Sequence, residues 1–148
     1  MSKLTSTDPN ARLVALDIGS KRIGVASANV VAQLAGPLTT LNVSPQINQD
    51  ILELLADQAA VALVVGLPRG LNGQDTAQTE AVRQFVAKLE PLLTIPVFWQ
   101  DEALTSHLSK LELATKKGQH SKGQVDSLAA TYILEDYLLN RPKSLGGV

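Results

Sequence analysis

Residues 13–26, LVALDIGSKRIGVA, constrain this chain more than any other stretch. They open with the apolar run Leu13-Val14-Ala15-Leu16, which suits a strand buried on both faces. The run closes on Asp17. Gly19, Ser20, Lys21 and Arg22 then supply a turn and two cations, and Ile23-Gly24-Val25-Ala26 begins a second strand. The unit is strand, tight turn, strand, with one carboxylate fixed where a buried strand meets solvent. A strand end holds a carboxylate more rigidly than a loop does, and metal ligation needs that rigidity. Aspartate also begins turns by bonding its own backbone, so this stretch alone leaves both roles open.

The 148-residue chain fits one domain around such a unit. Hydrophobic residues make up 45% and charged residues 18%, a globular balance. There is no cysteine, which excludes disulfides and thiolate zinc sites and suits a cytoplasmic protein. The first ten residues lack the apolar core of a signal peptide, and no apolar run is long enough to span a bilayer. Net charge is −1, so any nucleic-acid contact must come from a local patch. Aromatic residues are 3% of the chain, which keeps base stacking small.

Residues 1–11 read as a disordered lead, 12–140 as the domain and 141–148 as a flexible tail. A third strand is predicted near 34–41, with Gly36-Pro37 at its start and an edge position in an antiparallel meander. Ser44-Pro45 is predicted to open a helix with Ile47, Ile51, Leu54 and Leu55 on its buried stripe. Residues 61–65, VALVV, read as a parallel strand ending at Gly66-Leu67-Pro68, followed by a polar glycine loop over 69–74. Asp75 or Thr76 caps a helix that ends near Glu90, ahead of Pro91. A fifth strand, 95–99, runs into Gln100-Asp101-Glu102, with Trp99 as strand packing. A helix from Thr105 or Ser106 to Lys116, a basic loop over 116–124 and a last helix from near Val125 complete the order. The sum is an α/β protein: a mixed five-stranded sheet, three antiparallel strands then two parallel, flanked by helices.

Four acids lie where this sheet can gather them. Asp17 ends the first strand, Asp101 and Glu102 end the fifth, and Asp126 starts the last helix. The C-terminal edge of parallel strands is where open α/β sheets bind ligands. Carboxylates converging there repel one another unless they hold divalent metal, and hard oxygen ligands select Mg²⁺ or Mn²⁺. Two such ions about 4 Å apart activate water and stabilise the leaving oxygen of a phosphodiester. Strand neighbours face opposite ways, so only one of Asp101 and Glu102 reaches such a site. Asp126 in a first helical turn also suits the helix dipole without any metal. Lys116, Lys117 and Lys122 beside acidic metal ligands become phosphate contacts, as does His120, whereas His107 reads as surface.

In their order and spacing, these segments resemble the YqgF/RuvX family of Holliday-junction-resolvase-like nucleases. The landmarks are LDIGSKRIGVA at 16–26, VVGLP at 64–68, Asn72-Gly73, DEALTS at 101–106 and KGQVDSLAA at 122–130. The resemblance covers about 13–139 and implies an RNase H-like fold and a metal-dependent nuclease. Its substrates would be the precursor of 16S rRNA or branched DNA. It carries the catalytic acids onto Asp17, Glu102 (with Asp101 beside it) and Asp126, all four as metal ligands. Lys21, Arg22, Arg69, Lys116, Lys117 and Lys122 would position phosphates. Ala103 departs from the arginine usual after the Asp-Glu pair, which removes a planar bidentate partner but no metal ligand. His107, Leu108 and Ser109 stand where the family often has a glutamate.

Two rival readings share the fold. Asp17-Ile18-Gly19-Ser20 resembles the first phosphate loop of sugar kinases and actin-like ATPases, though 148 residues supply one of their two domains. A non-catalytic nucleic-acid-binding module is the other, favoured by Ala103 and the near-neutral charge. The two-fold symmetry of a four-way junction leaves a homodimer open.

Overall fold

The computed structural model describes residues 9–103, 112 and 122–140. Five strands form one sheet in the order β3-β2-β1-β4-β5. Strand β1 (Arg12–Ile18) pairs antiparallel with β2 (Arg22–Asn29), and β2 with β3 (Ala35–Asn42). Strand β4 (Ala60–Arg69) lies parallel to β1, and β5 (Val97–Ala103) parallel to β4. This is the mixed five-stranded sheet expected, with β3 at one edge as its Pro37 requires.

Alternation along β1 divides the core. Val14, Leu16 and Ile18 join Leu63, Val65 and Leu67 under α1 (Ile47–Asp57) and α2 (Ala77–Leu89). Leu13 and Ala15 join Ala26, Ala28, Ala62 and Val64 under α3 (Lys122–Asn140). The second face is built of small residues, so α3 approaches closely. An added Cβ at Gly24 would lie 1.8 Å from the Asp126 carbonyl oxygen, and one at Gly66 would lie 2.4 Å from Ile133 Cδ1. The helix therefore crosses from β2 at Asp126 to β4 at Ile133. It reaches β5 at Tyr137, whose ring centroid is 5.8 Å from that of Phe98.

Three boundaries and the role of one side chain differ from expectation. Helix α1 has Gln46, not Ser44, at its N-cap, because the Ser44 hydroxyl accepts the Gln46 N–H in a turn of its own. Strand β4 continues through Gly66-Leu67-Pro68 to Arg69 because β5 pairs with it there, Pro68 opposite Glu102. Pairing of β1 with β4 ends at Leu16 and Val65, so Pro68 has no β1 neighbour whose ladder it would interrupt. Helix α3 begins at Lys122, so Lys122 and Gln124 lie in a helix rather than a loop, and Asp126 lies beyond its first turn. Trp99 stays 41% exposed beside α2, so it does not close a core. The expected helix over 105–116, the loop cations Lys116 and Lys117, and both histidines lie outside the described residues. No helix among the described residues is long and apolar enough to cross a membrane.

Candidate active site

The C-terminal ends of β1, β4 and β5 share one edge of the sheet. Asp17 alternates with Leu13 and Ala15 and so belongs to the α3 face. Its antiparallel partner is Gly24, and the Asp126 carbonyl rests on Gly24. Paired antiparallel residues sit about 5 Å apart. Bare backbone at position 24 thus lets the main chain of Asp126 rest on the strand position opposite Asp17. Gly19 closes the turn into β2: its N–H donates to the Arg22 carbonyl at 3.0 Å, and a Cβ would lie 2.7 Å from that oxygen. Lys21 stands exposed at the tip of this turn.

The next strand over resolves the adjacent acids. Phe98 packs under α3 while Val97 packs with the α1–α2 core, so Glu102 shares the face of Asp17 and Asp101 faces away. Asp101 therefore lies on the face opposite Asp17 and Glu102. It lines the α2 side with Trp99 and lies 3.3 Å from Arg69 Nε, a buried nitrogen near enough to pair but not aligned as a hydrogen bond. Continuing the β1–β4 register sets Asp17 level with Gly66, itself opposite Gln100. Glu102 then lies two strands across and two residues onward, roughly 12 Å from Asp17 at the Cα atoms.

Asp126 has a cation on it already. Arg22 Nε donates to Asp126 Oδ2 at 2.6 Å, with the two side chains 35% and 24% exposed. Among the described residues no three acidic or imidazole side chains close into a metal cluster. The structure thus rests the Asp126 main chain on the strand partner of Asp17, sets Glu102 on the same face farther out, and places a guanidinium on Asp126.

Arg69 faces the opposite side, where its guanidinium binds Asp75 and pairs with Asp101. Asp75 also accepts from Arg83 Nη1 at 2.5 Å. The Arg83 hydrogen bond lowers the Asp75 pKa, desolvation opposes it, and the charges of Arg83 and Arg69 lower it further. The same bond raises the pKa of Arg83. This network closes the base of the 70–74 loop, in which the Gly70 N–H donates to the Gln74 carbonyl at 2.9 Å. Thr76, not Asp75, caps α2 in a capping box with Thr79. Sequence reasoning missed Gly24 and Asp75. A glycine inside a strand marks close backbone approach, which was the available signal for the first.

A family model described as "RuvX: Holliday junction resolvase" matches residues 11–140. A protein of Roseiflexus sp. (strain RS-1) named "Putative pre-16S rRNA nuclease" is 41% identical over 138 residues, 90% of this chain and 96% of its own. One of the same name from Crocosphaera subtropica is 37% identical over 134 residues, 88% and 94% of the two chains. Among solved structures, T. thermophilus RuvC in complex with Holliday junction substrate matches with TM-score 0.53 at 16% identity, covering 87% of this chain and 95% of that one. The fowlpox virus Holliday junction resolvase matches with TM-score 0.54 at 9% identity, covering 90% and 99%. Together with the strand order, these likenesses identify the RNase H-like fold.

Proposed function

The chain belongs to the RuvX family, and from that premise we propose that it is a metal-dependent nuclease in which Asp17, Glu102 and Asp126 hold Mg²⁺ or Mn²⁺. One observation supports the reading: Asp17 and Glu102 share a sheet face at its C-terminal edge, and the Asp126 main chain rests on Gly24, the strand partner of Asp17. The donor set is oxygen alone, which suits these hard cations. A guanidinium already bonded to Asp126 marks the place as one that takes a cation. When bound, the metal lowers the pKa of water and stabilises the charge of the leaving oxygen.

The chain's own groups do the rest. Strand ends fix Asp17 and Glu102, and the helix fixes Asp126. Lys21 at the turn tip and Arg22 beside it are the phosphate contacts of this reading, with Lys116, Lys117 and Lys122 as further candidates. Arg69 is withdrawn from that role, since its guanidinium is held by Asp75 and Asp101 on the other face. The names of the relatives favour structured precursor rRNA as substrate, and the junction bound by RuvC makes branched DNA the second candidate. Family membership speaks against an ATP-binding fragment.

Cleavage of an RNA duplex with a 5′ single-stranded extension, and of a four-way DNA junction, tests this with purified protein and Mn²⁺. Asp17→Asn, Glu102→Gln and Asp126→Asn should each lower the rate by about 100-fold or more, the scale of a lost electrostatic group at a reacting centre. Asp101→Asn should keep activity within about three-fold, as expected for a group outside the site. Cleavage by all three acid variants at the wild-type rate would end the proposal.

A further inference from the structure

Arg22 and Asp126 are 104 positions apart in sequence. They meet because Arg22 lies two residues before Gly24 on β2, on the face where α3 rests. Their contact is charge-assisted: Nε to Oδ2 at 2.6 Å, with the carboxylate only 24% exposed. A guanidinium in that position neutralises Asp126 and occupies an oxygen that a divalent cation would use. Among the described residues its terminal nitrogens make no further bond.

We propose that Arg22 is the resident counter-ion of the site. It holds Asp126 in the metal-free protein, and a divalent cation must displace it. The inference rests on the nuclease reading above and adds to it. Displacement frees a planar, five-donor group beside the metal, where a phosphate fits it bidentately. Metal and phosphate then favour each other's binding by the same factor. Arg22 is on this account a positioning residue, and its signature is metal affinity rather than rate.

The test is Mn²⁺ titration of the whole protein, with free ion read by electron paramagnetic resonance. Arg22→Gln should tighten Mn²⁺ roughly three- to ten-fold, the scale of a part-exposed charge-assisted bond that no longer competes. Lys21→Gln removes the same charge from the adjacent position without touching Asp126, and should change affinity by less than about two-fold. Asp126→Asn should weaken binding, and on that background Arg22→Gln should add no tightening. Should Arg22→Gln fail to fold by circular dichroism, Arg22→Met, which keeps the apolar stem, must show the same tightening. Equal affinity in wild type and the Arg22 variant, or equal tightening by Lys21→Gln, overturns the inference and leaves the metal site standing. A wild type that takes up no Mn²⁺ overturns both.

Discussion

Gly24 and Gly66 both face α3, yet they meet different atoms, and the difference has a measurable consequence. At Gly24 an added Cβ runs into main chain, the Asp126 carbonyl at 1.8 Å, which cannot turn aside. At Gly66 it runs into the end of a side chain, Ile133 Cδ1 at 2.4 Å, which can change rotamer. Gly24→Ala should therefore destabilise by about 2–3 kcal/mol and Gly66→Ala by about 1 kcal/mol, both measured by urea unfolding. Gly24→Ala should also reduce Mn²⁺-dependent cleavage more than its stability loss explains, because the helix carrying Asp126 must lift. Equal stability for the two variants would refute the close approach. At this scale the sequence was partly readable. Asp17 stood out because a buried apolar run ends on it. The choice between Asp101 and Glu102 did not stand out, because alternation says that they face opposite ways and not which way either faces. That was decided by tertiary packing, Phe98 beneath α3 and Val97 with the α1–α2 core.

Elements are governed by partners that local sequence does not reveal. Pro68 reads as the end of a strand, yet β4 persists to Arg69 because β5 supplies hydrogen bonds along its far side. Ser44 reads as a cap, yet its hydroxyl serves a turn two residues earlier than the helix. Thr76 was legible as one of two candidate caps because a capping bond is local, whereas its reciprocal partner Thr79 came only with the structure. Between β4 and α2, the Arg69–Asp75–Arg83 network ties the glycine loop shut. Its pH dependence follows from Asp75, whose folded pKa is lowered, chiefly by the Arg83 hydrogen bond. A lowered carboxyl pKa gives stabilisation that is complete above the unfolded value, near 3.8, and lost as pH falls through the folded one. Exchange protection of the Gly70 and Gly73 amides, corrected for intrinsic rates, should hold from neutral pH to about 4 and fall below it. Asp75→Asn should show the low-pH behaviour already at pH 7. Unchanged protection in that variant would mean that the loop is held by its backbone bonds alone.

For the molecule as a whole, the helices restrict where a polyanion can lie. Among the described residues, α1 and α2 cover one face of the sheet and α3 the other, which leaves the C-terminal edge open to substrate. The order of strands was legible because a meander followed by two crossover strands leaves few topologies. The withdrawal of Arg69 was not, because its two carboxylate partners come from different elements. That withdrawal sets the salt dependence of nucleic-acid binding. A chain of net charge −1 has no general field, so affinity must come from the few cations at the edge. For single strands, log K falls against log salt with a slope of about −0.7 per neutralised phosphate. If Lys21 and Arg22 at the edge are joined by the proposed contacts Lys116, Lys117 and Lys122, the slope is no steeper than about −3.5. Lys21→Gln should flatten it by about 0.7, whereas Arg69→Gln should leave it unchanged and only loosen the 70–74 loop. Fluorescence anisotropy of a labelled RNA between 50 and about 300 mM salt reads both. A slope that flattens equally for Arg69→Gln would return that residue to the phosphate contacts and place substrate across the α2 side of the sheet as well.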